Sequence, residues 1–217
     1  MKLRLNQKGS VSLKAFKLTS SEIELQVATD LTKYRKVFRE RYGVAPAVPL
    51  DVESLVKELW DVEVVYENIP QPADTEILGF TAPETGSIVV DSLICGNSRR
   101  VSFTVAHEAG HLSLHAFMYA PHKNKMAKRN TIGKLDGTSS MEWQANTYAA
   151  FLLAPKPELL ALLQEQGLAT GNTISEPIDM EQILSPFQAR FGLSRQAMEV
   201  HFRRLGIAVS NARYPGD

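Results

Sequence analysis

The feature that most constrains this chain is the pentapeptide His107-Glu108-Ala109-Gly110-His111, set in an apolar stretch from Val101 to Leu114 that suits a helix. Histidines at i and i+4 lie on one face of a helix, so both imidazoles can reach a single cation. Glu108 sits one position round from the first of them, placed to touch a water on that cation without being a ligand. This is the physical content of the HExxH zinc-peptidase motif. On the pentapeptide alone, a pair of satisfied, partly buried histidines remains the competing account. Gly110 costs roughly 1 kcal/mol in a helix interior relative to Ala, so either something approaches the helix closely there or packing requires it.

A third ligand is offered by the segment from Met141 to Leu153, which reads as a second helix beginning near Ser139 or Ser140, with Trp143, Ala149, Ala150 and Leu153 as its apolar stripe. Glu142 and Asn146 lie four residues apart on one flank. A carboxylate facing two histidines completes a His-His-Glu set and leaves the fourth position to water, the arrangement of a catalytic zinc. Asn146 is placed to hydrogen-bond the second nitrogen of a ligand imidazole and fix its tautomer. The competing account of Glu142 is a first-turn acid favoured by the helix dipole. His115, one turn beyond His111, is read as a hydrogen-bonding or core histidine, because a ligand so far along the same helix would have to reach back.

The remainder is read as support. At 217 residues and 44% hydrophobic content the chain can bury one substantial core. Its 24 basic and 24 acidic residues give no global reason to expect nucleic-acid binding. Residues 1–26 read as a basic arm with weak strand alternation, and Ala28 to Tyr42 as a surface helix. A further helix follows the cap residue Asp51. Strands are expected at Val62 to Tyr66, Ile77 to Thr81 and Ser87 to Val90, the last two joined as a hairpin by Pro83-Glu84-Thr85-Gly86. Met118 to Gly137 is a basic loop that could gate the site. Met180 to Phe191 and Ser194 to Leu205 suggest part of a helix-turn-helix, with Arg195, Gln196, Arg203 and Arg204 available to DNA. His201 is read as a surface or packing residue, and Cys95 as a small, partly buried one. That single cysteine fits a reducing compartment. The first 30 residues lack a signal-peptide pattern, and no run of 18 apolar residues occurs, so a cytoplasmic protein away from the membrane is expected.

The chain resembles the ImmA/IrrE-type metallopeptidases. The resemblance is carried by Val48-Pro49-Leu50-Asp51, Ile88-Val89-Val90-Asp91, and Phe103 to Leu112 with His115 beyond. It continues in Glu142-x-x-Ala145-Asn146-x-x-Ala149-x-x-Leu152-Leu153-x-Pro155 and Phe191 to Met198. It implies one zinc held by His107, His111 and Glu142, with Glu108 as general base. It also implies a gluzincin-like core, and for some members cleavage of a repressor. Ser102 stands where many members have arginine, which touches substrate choice and not the metal.

The expected architecture is therefore α+β: a zincin-like core with a small antiparallel or mixed sheet under the HExxH helix, then a helical C-terminal region. Residues 1–26 form the arm, 27–167 the peptidase core and 168–217 the helical region, packed on the core or appended to it. The expected function is zinc-dependent cleavage of a specific regulatory protein, a helix-turn-helix repressor or antitoxin-like regulator encoded nearby. A non-proteolytic metal-containing module acting through protein or DNA contacts is the alternative.

Overall fold

The computed structural model describes residues 17–72, 76–82, 84–119, 138–174 and 176–210. Residues 1–16 of the basic arm, the basic loop from residue 120 onward and the tail from 211 lie outside them.

Helix α1, Ser20–Tyr42, starts eight residues before the expected Ala28, so the end of the stretch read as an arm is helical. Thr19 is the reason. Its hydroxyl accepts from the amide of Glu22, and the Glu22 carboxylate accepts from the amide of Thr19, a capping box that satisfies two otherwise unpaired donors. Ile23, Val27, Leu31 and Tyr34 repeat at helical spacing along its buried face. Gly43 ends it at φ 75°, a left-handed conformation that suits glycine. Helix α2, Val52–Trp60, is capped by Asp51 and buries Val52, Leu55 and Val56.

Strands β1 (Glu63–Glu67), β2 (Gly79–Ala82) and β3 (Ser87–Asp91) form a mixed sheet in the order β1-β3-β2. β1 runs parallel to β3 and β2 antiparallel to it, Thr81 opposite Ile88. Every residue of β3 is buried, as befits a central strand covered on both faces. Ile88 and Val90 enter the main core, while Val89 packs on the other face with Ile69 and Ala82.

Helix α3, Ser98–Tyr119, lies on this sheet, with Asn97 accepting from the Arg100 amide at its start. Helix α4, Thr138–Leu153, packs against it. Helices α5 (Lys156–Glu165), α6 (Met180–Phe191) and α7 (Arg195–Arg204) follow, with β4 (Ile178–Asp179) and β5 (Val209–Ser210) pairing in parallel. Phe187, Phe191, Met198 and Phe202 of the last helices share one core with Ile23, Leu55, Val105 and Leu152. The architecture is α+β. Among the described residues no helix is long and apolar enough to cross a membrane.

Two expectations are corrected, and the choice left open for His201 is decided. Trp143 is not in the buried stripe of α4 but 40% exposed, while Met141, Ala145 and Tyr148 fill that stripe. Cys95 is exposed. His201 is a packing residue and not a surface one: it is fully buried, its Nε2–H donates to the carbonyl of Ala154 at 2.8 Å, and Phe151 meets it edge-on.

Candidate metal centre

Two glycines let the site assemble. A Cβ on Gly110 would lie 3.0 Å from Cα of Ala145 and 3.1 Å from its carbonyl oxygen, so the close approach inferred from this glycine is the backbone of α4 itself. That crossing sets the start of α4 opposite His107 and His111. On the other side of α3, a Cβ on Gly79 would meet Cγ2 of Thr104 at 2.6 Å. Glycine there lets β2 lie close to the helix.

Nε2 of His107 is 3.1 Å from one carboxylate oxygen of Glu142, and Nε2 of His111 is 3.5 Å from the other. The two Nε2 atoms are 3.1 Å apart. Tetrahedral ligands on bonds of about 2.0–2.1 Å lie about 3.3–3.4 Å from one another, so the three groups fit one zinc-sized ion with little movement. No other group of three potential ligands is assembled among the described residues. The electrostatics agree with a cation's place. Hydrogen bonds from His107 and then His111 hold the Glu142 carboxyl far below its ordinary range. Burial works against protonation of His107, but the bond to Glu142 and the charges of Glu108 and Glu142 outweigh it and raise its pKa. A positive charge is thus favoured between these groups whether a proton or a metal supplies it.

Around the three candidate ligands lie groups within hydrogen-bond distance of them. Nδ1 of His107 is 3.0 Å from Oδ1 of Asn146. Nδ1 of His111 is 3.1 Å from Nδ1 of His115, whose Nε2 is 3.3 Å from Oε1 of Gln144. His115 is 3% exposed, and burial, aided by His111, pushes its pKa down to about 4. Glu108 does not join the ligands. It is 8% exposed, and its Oε2 accepts the hydroxyl of Thr81 from β2 at 2.8 Å. Thr81 and Gln144 went unseen in the sequence. Neither belongs to a motif, and their contacts span 27 and 29 residues.

The sequence offers Tyr148 and Tyr119 as side chains for stabilising an oxyanion; Tyr148 is fully buried and donates to Oδ2 of Asp30 at 2.9 Å. Burial first, and then the Asp30 charge, push its pKa well up, so it stays protonated. The side chain of Tyr119 lies outside the described residues. Trp143, next to Glu142, stands beneath the guanidinium of Arg204, 5.7 Å from the ring centroid.

The fold and this centre define an α+β protein whose two crossed helices present an HExxH-type candidate metal site. The family model described as the IrrE N-terminal-like domain matches residues 60–203, well over half of the chain and the whole of the centre. The chain belongs to this ImmA/IrrE-type metallopeptidase family. No curated protein matches it. A solved structure of a Mycobacterium tuberculosis transcriptional regulator is similar over 88% of this chain, at 15% identity and a TM-score of 0.48. The match covers 52% of that protein, so the chain spans about half its length.

Proposed function

We propose that the chain is a zinc-dependent endopeptidase, built on a zincin-like core, that binds one zinc and cuts a specific regulatory protein. The observation that carries this reading is the convergence of His107, His111 and Glu142 beside a non-ligand carboxylate, Glu108, tethered to a strand edge. Bound zinc would polarise the scissile carbonyl and acidify the attacking water. Glu108 is placed to take the proton from that water and deliver it to the departing amine as the C–N bond breaks. Thr81 holds the carboxylate in place for both transfers.

The strand edge gives the substrate a seat. Leu78 accepts from the amide of Asp91, and pairing alternates along β2, so Phe80 and Ala82 bond to β3 while Gly79 and Thr81 turn their main-chain groups outward. An extended peptide adding to that edge would run past the residue that holds the base.

A repressor or antitoxin-like regulator with a helix-turn-helix domain, cut in an exposed segment, is the substrate class we favour, in the cytoplasm. Direct DNA reading by α7 is the weaker reading. Arg195 is engaged by Glu181 and Glu199, and Arg204 covers Trp143, so the basic residues of that helix already have intramolecular roles. Mixing the zinc-loaded protein with the regulator encoded beside it, followed by intact-mass measurement, tests the proposal. Site-specific cleavage lost in Glu108→Gln supports it. An uncut stoichiometric complex points instead to a non-proteolytic binding module.

A further inference from the structure

Among the described residues of α4, Trp143 is the one large apolar side chain that is exposed, at 40%. It directly follows Glu142, whose side chain is 53% exposed, so the candidate centre opens at this end of the helix. Residues three apart on a helix are surface neighbours, which sets Trp143 against Asn146, the partner of His107. At about 100° per residue, Trp143 projects about 60° to one side of Asn146 and about 80° to the other side of Phe151. Phe151 packs on His201 of α7. Trp143 therefore stands between the side of α4 that faces the centre and the side that faces α7.

Arg204 holds the indole there. Its guanidinium carbon is 5.7 Å from the ring centroid, a cation–π contact. Arg204 closes α7, which is tied to the end of α4 by the bond from His201 to Ala154 and by the buried ring of Phe202. A lone exposed apolar residue means little. This one is fixed by a cation and shares a helical turn with a candidate metal ligand and with the partner of another. Tryptophan suits recognition because a large rigid surface is ordered at the cost of two rotatable bonds.

We infer that Trp143, held by Arg204, is a specificity-determining residue whose indole receives a large apolar side chain, aromatic or branched aliphatic, from a substrate residue flanking the scissile bond. The inference deepens the peptidase reading and rests on it. β2 and α4 lie on opposite sides of α3, so a peptide seated on the β2 edge with its scissile carbonyl at the metal has α4 as the facing wall. Successive side chains of an extended peptide point to opposite faces, so one next to the scissile bond is directed at that wall. The cation of Arg204 is turned to the ring, which matches an apolar side chain better than an acidic one.

Hydroxamates chelate a bound zinc, so a series that differs only beside the chelating group reports what the adjoining surface accepts. The probes are the hydroxamates of N-acetylated glycine, leucine, phenylalanine and aspartate, titrated calorimetrically into the zinc-loaded protein. The leucine and phenylalanine probes should bind about 10- to 100-fold more tightly than the glycine probe, and the aspartate probe no better than glycine. In Trp143→Ala the preference should shrink to within about threefold, with zinc content and glycine-probe affinity unchanged, and Trp143→Phe should restore most of it. No apolar preference in the natural protein, a preference for aspartate, or a folded Trp143→Ala with its preference intact overturns the proposal. Should Trp143→Ala not fold, Trp143 fluorescence decides, read in Trp60→Phe because the chain has two tryptophans. The leucine probe should change it and the glycine probe should not; equal responses overturn the proposal. A natural protein that takes up neither zinc nor any hydroxamate refutes the metal-centre reading and the proposal with it, whereas tight binding of all probes alike refutes the proposal alone.

Discussion

The hydroxyl of Thr81 on β2 donates to Oε2 of Glu108 on α3 at 2.8 Å, joining the strand edge to the carboxylate beside the ligand pair. Replacing Thr81 with Val keeps the shape and removes the donor. Turnover should fall by about 10- to 100-fold, the scale of effect that a small misplacement of a catalytic group produces. Substrate KM and zinc content should stay near those of the natural protein, and Thr81→Ser should recover most of the rate. A Thr81→Val protein with natural kcat would show that the bond does not position the base.

Gly110→Ala tests the helix crossing. The added methyl meets Ala145 at 3.0 Å and Cβ of Tyr148 at 3.1 Å, so α3 and α4 must separate. Overpacking of this kind costs about 1–3 kcal/mol, which thermal unfolding would reveal. Because Glu142 rides on α4, zinc affinity should fall with stability. Unchanged stability and affinity together would mean that the helices accommodate the methyl without moving.

Asp30 binds α1 to the two helices of the centre. Its carboxylate accepts from Ser113 at 2.6 Å and Tyr148 at 2.9 Å, and it is 3% exposed. Asp30→Ala strands two hydroxyls and should cost about 2–4 kcal/mol in denaturant unfolding, whereas Tyr148→Phe should cost less. A double-mutant cycle should show coupling between them. Additive losses would contradict a shared network.

These contacts mark where the sequence could and could not be read. The candidate site was legible because its parts are local: His107 with His111, and Glu142 with Asn146, are each four residues apart on one helix. The β2–β3 hairpin was legible from its turn residues, and the start of α1 could have been, since Thr19 and Glu22 carry the capping-box spacing. Thr81, Gln144 and Asp30 act through partners far along the chain. Their roles exist only once Gly79 and Gly110 have let β2 and α4 close on α3. Trp143 misled because helical periodicity alone could not show that Met141, and not Trp143, faces the core.

Acid should weaken the fold through His201. Burial first, with the Arg204 charge adding and the Ala154 hydrogen bond opposing, pushes its pKa down to about 4 from 6.5. Between those values the unfolded chain binds more protons than the folded one, so stability is full above about pH 6.5 and is lost as pH falls toward 4. The contribution is up to about 3 kcal/mol. His201→Gln, which keeps an N–H for Ala154, should flatten that part of a stability–pH curve. An unchanged acid limb would show that other groups, His115 among them, account for it.

The central claim is the ligand set with a separate base, and metal content by native mass spectrometry tests it most directly. The natural protein and Glu108→Gln should each carry about one zinc per chain, and Glu142→Ala and His111→Ala should carry none under the same conditions. Full zinc occupancy with unchanged affinity in Glu142→Ala, or loss of zinc from a folded Glu108→Gln, would contradict the assignment.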